Sequence, residues 1–406
     1  MLKNRTIFEQ KLLHLIDTPV IKIVTGVRRC GKSYLLKLLA GHLQKQGVAR
    51  DRIISIDFES IANRELTDYL ALYDHIMRLA GKDKKRVYIM IDEIQEVKDW
   101  EKAARSLMVD LDCDLYLTGS NAHLLAGELA TLLAGRYIEL SLLPLSFKEY
   151  LDFNEVSRGD RASVEEAFYN FIKFGGFPAM HMLPDDEEIR GQYLKGIFNS
   201  VVLKDVIQRH DIRDSELLER ILIYLMENIG NIFSAKKFAD YLKSQGRKVS
   251  TDSVYNYIRA LETALIIYTA RRYDVKGKKV LERLEKYYLV DLGLRNAVLG
   301  NKTADISQAL ENIVYLELLR RGNNVYVGKE GELEVDFIAC SGNQRHYYQV
   351  SYLIESEQTR EREFRPLRLI CDNFPKTVIS LDKFKLSDSD GIEHMNLLDF
   401  LLIDQN

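Results

Sequence analysis

Short apolar segments alternate with stretches of helical periodicity in the first part of the chain. The apolar segments are rich in Ile, Val and Leu and lie at 21–25, 53–58, 87–91, 115–118 and 137–142. Between them, apolar residues recur at helical spacing, most clearly as leucines over residues 34–42. Strands that alternate with helices form a parallel sheet covered on both faces. The pattern therefore predicts an α/β domain with a parallel sheet over residues 1–150.

The pattern changes after this domain. Residues 151–215 predict a mainly helical connector, interrupted by glycine and proline at 175–178, where a helix must break. Residues 216–300 predict three amphipathic helices, two strands and a basic turn between the strands, which is the order of a winged helix. The expected helices are 217–229, 234–245 and 250–263, and the expected strands are 266–273 and 286–290.

The last region, residues 301–406, predicts a separate α/β domain. A long helix is expected over 305–321, and strands are expected over 324–329, 334–339 and 346–351. No internal repeat and no low-complexity linker separates these four regions, so the three boundaries between them follow only from the change of pattern.

Composition narrows the class of protein. The 406 residues exceed what one hydrophobic core usually serves. Lys and Arg number 57 and Asp and Glu 60, and this net charge of −3 gives no overall sign of nucleic-acid binding. Four dispersed cysteines without a CxxC pair argue against a zinc site or a disulfide framework. Without a visible signal peptide or membrane-length apolar run, a cytoplasmic location and no membrane partner are expected.

The strongest chemical signal is a glycine loop between the first strand and the following helix. Gly26, Gly31, Lys32 and Ser33 satisfy the pattern GxxxxGK[ST], the Walker A motif. Glycines let backbone N–H groups turn toward phosphate oxygens, the lysine reaches the β- and γ-phosphates, and the hydroxyl ligates Mg²⁺. The sequence therefore predicts ATP and Mg²⁺ as cofactors. The expected nucleotide-contacting residues are Gly26, Val27, Arg28, Arg29, Cys30, Gly31, Lys32, Ser33 and Tyr34.

Two carboxylates stand where a Walker B motif is expected. The apolar strand that starts near Val87 ends on Asp92 and Glu93. Ligands of open α/β sheets bind at the carboxyl ends of the strands, and a buried strand ends in two acids when something positive lies there. We expect Asp92 to hold Mg²⁺, directly or through water, and Glu93 to polarise the attacking water.

Five further polar residues have weaker signals. Ser120 and Asn121 follow another apolar strand, where either side chain would orient the lytic water or simply cap a turn. Arg136 precedes the next strand and is a candidate arginine finger that acts in trans, although a surface charge is the ordinary alternative. For Arg28 and Arg29, phosphate contact and a solvent-facing loop position are both open.

These features together resemble the AAA+ superfamily, and more narrowly a group of prokaryotic AAA+ ATPases. The motifs that carry the resemblance are GxRRxGK[ST] at Gly26–Ser33, IDEIQ at Ile91–Gln95, TGSN at Thr118–Asn121, PLSF at Pro144–Phe147 and GG[FY]P at Gly175–Pro178. The resemblance covers essentially the whole chain. It implies that Asn121 is the sensor 1 residue and that Arg136 is the arginine finger, which would require a homo-oligomer.

The same resemblance implies a C-terminal domain related to the restriction-endonuclease fold. Glu311 and Asp336 stand at acidic positions of such a site. The usual E-x-K motif is replaced by Gln349 and Ser351, so one carboxylate and the lysine are missing. A metal-dependent nuclease needs both. We therefore expect a degenerate domain that binds or supports rather than cuts.

The winged-helix region offers candidate contacts to DNA phosphates and bases. The basic positions are Lys236, Lys237, Lys243, Arg247, Lys248, Lys276, Lys278 and Lys279, and the candidate recognition residues are Thr251, Ser253, Asn256 and Arg259. Such residues also suit an ordinary solvated surface or a protein-binding module. DNA and a protein partner both stay open.

Three functions follow from the sequence. The first is an AAA+ ATPase that hydrolyses ATP and couples the cycle to a DNA- or protein-binding state, with Lys32, Glu93, Asn121 and Arg136 as catalytic residues. The second is a nucleotide-gated binding module with slow hydrolysis. The third, disfavoured by Gln349 and Ser351, is an ATP-dependent nuclease.

Overall fold

A computed structural model describes residues 3, 5–81, 85–121, 135–210, 212–281, 284–300, 306–386 and 390–403. The chain divides into two compact units. The first unit comprises Met1–Pro144 with Thr263–Leu265, and the second comprises Leu145–Glu262 with Ile266–Asn406. Within the described ranges, no helix is long and apolar enough to cross a lipid bilayer.

The first unit contains a five-stranded parallel sheet in the order β2-β3-β4-β1-β5. Its strands are β1 (Ile21–Thr25), β2 (Ile53–Asp57), β3 (Val87–Asp92), β4 (Cys113–Gly119) and β5 (Tyr137–Ser141). Its described helices are α1 (Thr6–Leu13), α2 (Lys32–Lys45), α3 (Tyr69–Ala80) and α4 (Trp100–Asp110). The predicted α/β class and parallel sheet are confirmed.

The burial of the central strands explains why they are uninterrupted apolar runs. Every residue of β1, β3 and β4 is buried. One core of this unit joins Ile23, Ile89 and Leu115 of these strands to Leu72 of α3 and Leu107 of α4. A parallel strand covered on both faces has no solvent side, so its sequence does not alternate. The chain leaves this core at the carboxyl ends of the strands, where polar residues appear.

The second unit begins with helices. Its described helices up to residue 299 are α5 (Phe147–Phe153), α6 (Arg161–Phe174), α7 (Glu187–Ser200), α8 (Ser215–Glu227), α9 (Ala235–Ser244), α10 (Thr251–Thr263) and α11 (Leu292–Leu299), with a π-helix at Val201–Gln208 after α7. The predicted break at the glycine–proline segment lies directly after α6. There the backbone N–H of Gly176 donates to the buried Asp291 carboxylate at 2.6 Å, and Asp291 also caps the start of α11.

The region predicted as a winged helix contains the three expected helices, α8, α9 and α10. Its two strands, β6 (Ile267–Ala270) and β9 (Lys286–Leu289), pair antiparallel. The residues between them do not form a simple basic turn, however. They form a second hairpin, β7 (Arg272–Asp274) and β8 (Lys279–Val280), which extends a different sheet. The predicted strand 266–273 is therefore two strands, because backbone hydrogen bonding passes from one sheet to another near Arg271.

That second sheet has seven strands in the order β14-β13-β12-β11-β10-β7-β8. The remaining strands are β10 (Asn324–Glu330), β11 (Leu333–Ser341), β12 (Gln344–Val350), β13 (Lys376–Ser380) and β14 (Glu393–Asn396), and the helices are α12 (Ile306–Arg320), α13 (Glu357–Arg368) and α14 (Leu397–Leu402). The predicted helix 305–321 and three strands agree with α12 and β10–β12, although residue 305 lies outside the described residues. The elements after residue 352 had no sequence prediction.

Candidate active site

The loop between β1 and α2 is shaped by its two glycines. A Cβ atom on Gly26 would lie 2.4 Å from the Leu142 carbonyl oxygen, so only glycine fits there. Gly31 has φ of 107°, in the left-handed region that side chains rarely adopt, and it is the N-cap of α2. The loop therefore passes closely over the strand edge and ends at a helix N-terminus. This is the geometry that presents backbone N–H groups to an anion.

Lys32 points back into this loop and is 3% exposed. Its ammonium donates to the carbonyl oxygens of Gly26 and Val27 at 3.0 and 3.3 Å. It also donates to the hydroxyl of Ser120 at 2.8 Å and lies 3.4 Å from the Glu93 carboxylate. Lys32 thus joins the glycine loop to the ends of β3 and β4.

Asp92 lies beside the hydroxyl groups of two neighbouring elements. Thr118, near the end of β4, donates a hydrogen bond to the Asp92 carboxylate. Burial raises the pKa of Asp92, while hydrogen bonds from Ser33 and Thr118 oppose this rise. The predicted Mg²⁺ pair, Ser33 and Asp92, is therefore brought together by α2 and β3.

Glu93 is held by more partners than Asp92. The Ser120 hydroxyl lies 2.8 and 3.0 Å from its two carboxylate oxygens, and the Gln95 amide also donates to it. Burial alone would raise the pKa of Glu93, but Lys32, Ser120 and Gln95 outweigh burial and bring it below its ordinary value. Glu93 is thus an ionised carboxylate whose position depends on Ser120. The sequence offered Ser120 only as an alternative to Asn121 for placing water.

The remaining predicted site residues separate into two groups. Asn121 is buried and directly follows β4, at the same edge of the sheet as Lys32 and Glu93. Arg136 is exposed and precedes β5, and its carbonyl accepts from the N–H of Ile21 at 2.8 Å. Because β1 and β5 are parallel, Arg136 lies at the amino ends of the strands, and the glycine loop lies at their carboxyl ends. It is not brought together with Lys32 and Glu93 of its own chain.

The other loop residues differ in exposure. Val27 and Cys30 are fully buried, and burial raises the pKa of the Cys30 thiol. Ser33 and Tyr34 are half-buried. Arg28 lies 3.7 Å from the Glu59 carboxylate, while the Arg29 residue is exposed.

Sequence reasoning missed Arg5, which supports the loop from outside. Its guanidinium is fully buried and donates to the Cys30 carbonyl at 2.9 Å. It also donates to the carbonyls of Leu143 and Pro144 at 3.0 and 3.4 Å. An arginine among the charged residues of the N-terminal segment had no signal that distinguished it, because its partners lie far along the chain.

In the second unit, the two acids of the predicted degenerate nuclease site do come together, and a lysine joins them. The Lys286 ammonium donates to Glu311 at 3.0 Å and lies 3.9 Å from Asp336. Gln349 accepts a hydrogen bond from the Asp336 backbone N–H through its amide oxygen at 3.3 Å. Ser351 is buried. Across the described ranges, no group of three or more His, Cys, Asp or Glu side chains is arranged to hold a metal ion.

The candidate DNA-contacting residues lie mainly on the surface of this unit. The exposed ones are Lys236, Lys237, Lys243, Lys248, Thr251, Asn256, Arg259, Lys276, Lys278 and Lys279. Arg247 is instead engaged in ion pairs with Asp214 and Glu216. Ser253 shares a hydrogen bond with the Ser250 hydroxyl at 2.8 Å, so its own hydroxyl is used at the start of α10.

Comparison with known protein families agrees with the architecture of the first unit. Residues 18–151 match the model of an AAA domain, and residues 165–305 match a domain of unknown function, DUF8612. Among solved structures, the Orc1 protein of Aeropyrum pernix in complex with DNA is similar with a TM-score of 0.33 and 14% identity, over 73% of this chain and 92% of that chain. A likeness of that size supports no argument about this chain.

Two relatives are much more similar in sequence. A protein of Haemophilus influenzae, called "Uncharacterized protein", is 39% identical over 399 residues, which are 98% of this chain and 98% of the relative. A second, from Methanocaldococcus jannaschii and called uncharacterized as well, is 34% identical over 356 residues, which are 85% of this chain and 77% of the relative. The chain belongs to the family of these two proteins, and its residues 18–151 are an AAA domain.

Proposed function

We propose that this protein is a Mg²⁺-dependent ATPase of the AAA+ type that couples ATP hydrolysis to a change in what its second unit binds. The observation that carries the proposal is the convergence of Lys32, Glu93 and Ser120. Three separate elements, the start of α2 and the ends of β3 and β4, bring these side chains within 3.4 Å of one another. A glycine turn without a ligand would not require this arrangement.

The residues present fit ATP with Mg²⁺. Gly26 allows the close loop path and Gly31 opens a helix N-terminus, which suits the phosphates. Lys32 would contact the β- and γ-phosphates, and Ser33 and Asp92 would hold Mg²⁺. Mg²⁺ keeps several waters and takes oxygen ligands from the phosphates, so two protein oxygens are enough. The bound cation would neutralise the charge that develops on the transferred phosphoryl group.

Glu93 is suited to the role of a base. Its lowered pKa keeps it ionised at neutral pH, so it can accept a proton from a positioned water. Its backbone lies in the left-handed region, with φ of 55°, directly after β3. This conformation at the strand end is the kind of strained position that is found at functional sites.

The decisive experiment is the Glu93→Gln variant. ATP turnover should fall by about 10²-fold or more, as expected for a lost general base, while nucleotide affinity is retained. Glu96→Gln, three residues further on and exposed, is the matched control and should keep full turnover. Turnover that persists in Glu93→Gln would remove the proposed base. Negligible turnover of the wild type, with nucleotide-dependent partner binding, would instead favour the nucleotide-gated binding module.

DNA is one candidate partner of the second unit. The exposed Lys236, Lys237 and Lys243 lie on α9, and exposed lysines of the β7–β8 hairpin form a second basic group. Charge reversal of each group, measured separately by DNA binding at several salt concentrations, tests the assignment. If a group contacts phosphates, its reversal should weaken binding and flatten the salt dependence. Unchanged binding in both variants would favour a protein partner.

A further inference from the structure

Lys286 is a buried lysine surrounded by carboxylates, and the proposed ATPase does not use it. Its side chain is 4% exposed. The ammonium lies 3.0 Å from Glu311, 2.7 Å from Glu334 and 3.9 Å from Asp336. We call these three acids with Lys286 the acidic cluster. An isolated charge in such a place would be very costly, so its partners decide whether it is tolerated.

The cluster is assembled from three elements of the second unit. Lys286 is the first residue of β9, Glu311 lies on α12, and Glu334 and Asp336 are alternate residues of β11 on one face of that strand. Tyr288, two residues after Lys286, also donates to Glu311. Asn312 binds both the N–H and the carbonyl of Leu289, at 2.7 and 3.0 Å, which fastens β9 to α12. The position of Lys286 is thus set by its strand.

The other polar groups beside the cluster are occupied by bonds within the protein. The second carboxylate oxygen of Asp336 accepts from the Val350 N–H at 2.9 Å. The Gln349 amide bridges the backbone of Asp336 and the buried Glu363, to which it donates at 3.1 Å. These bonds hold the cluster in its present form.

We propose that the Lys286 ammonium is the resident cation of the acidic cluster and that it excludes divalent metal ions from it. The ammonium lies within hydrogen-bond distance of Glu311 and Glu334 and forms a longer ion pair with Asp336. Mg²⁺ and Ca²⁺ instead need several oxygens at about 2.0–2.6 Å around one point. Both cations cannot occupy the space between the same three carboxylates. The C-terminal sheet of this chain is therefore stabilised by an internal cation and carries out no metal-dependent chemistry at this cluster.

The charges are consistent with this assignment. Burial by itself lowers the pKa of the Lys286 ammonium, but Glu311, Asp336 and Glu334 outweigh burial and raise its pKa above the ordinary range. Burial and the neighbouring Glu311 raise the pKa of Asp336 well above its usual value. The ammonium is thus held in its charged form by the acids around it.

The first experiment uses the wild-type, full-length chain without nucleotide. Amines are acetylated with a limiting reagent, and the extent at each lysine is read by mass spectrometry with chelator and with Mn²⁺. Lys286 should react on the order of tenfold or more slowly than exposed Lys279, because its reaction requires local opening. The rate at Lys286 should be the same with Mn²⁺. A rate that rises with Mn²⁺ only at Lys286 would mean that the metal displaces the ammonium, and the proposal would be wrong.

The second experiment removes the ammonium. In Lys286→Met, the carboxylates lose their cation. They are not arranged around a single point while Lys286 is present, but without it they should close on Mn²⁺, which should raise the melting temperature by about 3 °C or more relative to chelator. The wild type should show no such shift, nor should Lys286→Met combined with Asp336→Asn. The absence of nucleotide and the Asp336 control separate this site from the proposed Mg²⁺ site at Ser33 and Asp92.

Two results of this second experiment would contradict the proposal. One is a Lys286→Met protein that folds but does not respond to Mn²⁺. The other is a wild type whose melting temperature rises with Mn²⁺ unless Asp336 is replaced, or which cleaves DNA in Mn²⁺ through Asp336. If Lys286→Met does not fold, the acetylation experiment still decides, because it needs no variant.

Discussion

The hydroxyl of Ser120 lies 2.8 Å from the nearer carboxylate oxygen of Glu93. The same hydroxyl accepts a hydrogen bond from the Lys32 ammonium at 2.8 Å and donates its own proton to the carboxylate. Ser120 therefore links the residue expected to bind phosphate with the residue expected to activate water. A buried hydroxyl between two charges fixes the position of both.

Ser120→Ala should lower the ATP turnover rate by about 10–100-fold, because Glu93 loses the hydrogen bond that orients it. Nucleotide affinity should change much less, since Lys32 keeps its carbonyl partners. Ser120→Thr retains the hydroxyl and is the matched control, with turnover close to the wild type. Steady-state ATPase assays with nucleotide titrations distinguish the two effects. Full turnover in Ser120→Ala would show that Glu93 needs no such support.

Arg5→Met should destabilise the first unit and weaken nucleotide binding. Its guanidinium holds the carbonyls of Cys30, Leu143 and Pro144 in a fully buried position. A buried acceptor left without its donor costs about 1–3 kcal/mol. The loss of stability is measured as the free energy of unfolding in urea, and the weaker binding as the nucleotide dissociation constant. Lys11→Met, an exposed change on helix α1, which directly follows Arg5, should alter neither value. Equal effects of both variants would mean that the N-terminal segment acts through packing alone.

Arg136 can be tested by mixing variants. If it is a finger acting in trans, Arg136→Ala alone and Lys32→Ala alone should both have little turnover. A mixture of the two should recover part of the activity, because some intact nucleotide sites then face an intact arginine. The position of Arg136 at the amino ends of the strands, with the glycine loop at their carboxyl ends, motivates this experiment. No recovery, in a mixture shown by mass to be a mixed oligomer, would rule the finger out.

Asp291 should make stability depend on pH. Burial raises the pKa of Asp291 to about 7, despite hydrogen bonds from the N–H groups of Gly176, Gly293 and Leu294. The folded chain therefore binds this proton more tightly than the unfolded chain, whose Asp pKa is about 4. The stabilisation that comes from the raised pKa of Asp291 is fully present below about pH 4, the pKa of Asp in the unfolded chain. It is lost as the pH rises from there toward 7, by up to about 1.4 kcal/mol per pH unit.

The measurement is the free energy of unfolding of the wild type and of Asp291→Asn between pH 5 and 8. The variant does not titrate, so any advantage of the wild type at pH 5 should shrink as the pH rises to 7 and then stay constant. The loss of stability in the variant at a single pH does not test the assignment, because the amide nitrogen that the substitution introduces would face the Gly176 N–H and carry its own cost. A difference between the two proteins that is independent of pH would contradict the assignment.

Much of the first unit was predictable because its signals are local. The glycine loop is one run of consecutive residues, and its geometry follows from Gly26, Gly31 and the adjoining strand and helix. Asp92 was also predictable, since the carboxyl ends of parallel strands lie at one edge of the sheet. The hairpin β7–β8 was not, because a short strand pairs with whichever sheet edge the fold brings near, and the local pattern does not specify that edge.

Local sequence patterns were enough to predict the parallel α/β sheet of the AAA domain and to propose the residues that would surround a nucleotide, because strand, loop and helix follow from neighbouring residues. Which polar groups pair across long sequence distances depends on how the folded chain packs. Arg5 donates to a carbonyl 138 residues away. The motif at Gln349 and Ser351 lacks a lysine, yet Lys286, from a distant segment, pairs with the acids of the cluster. A buried charge is stabilised by the polar groups that lie closest to it in space, and packing between distant segments of the chain sets that distance.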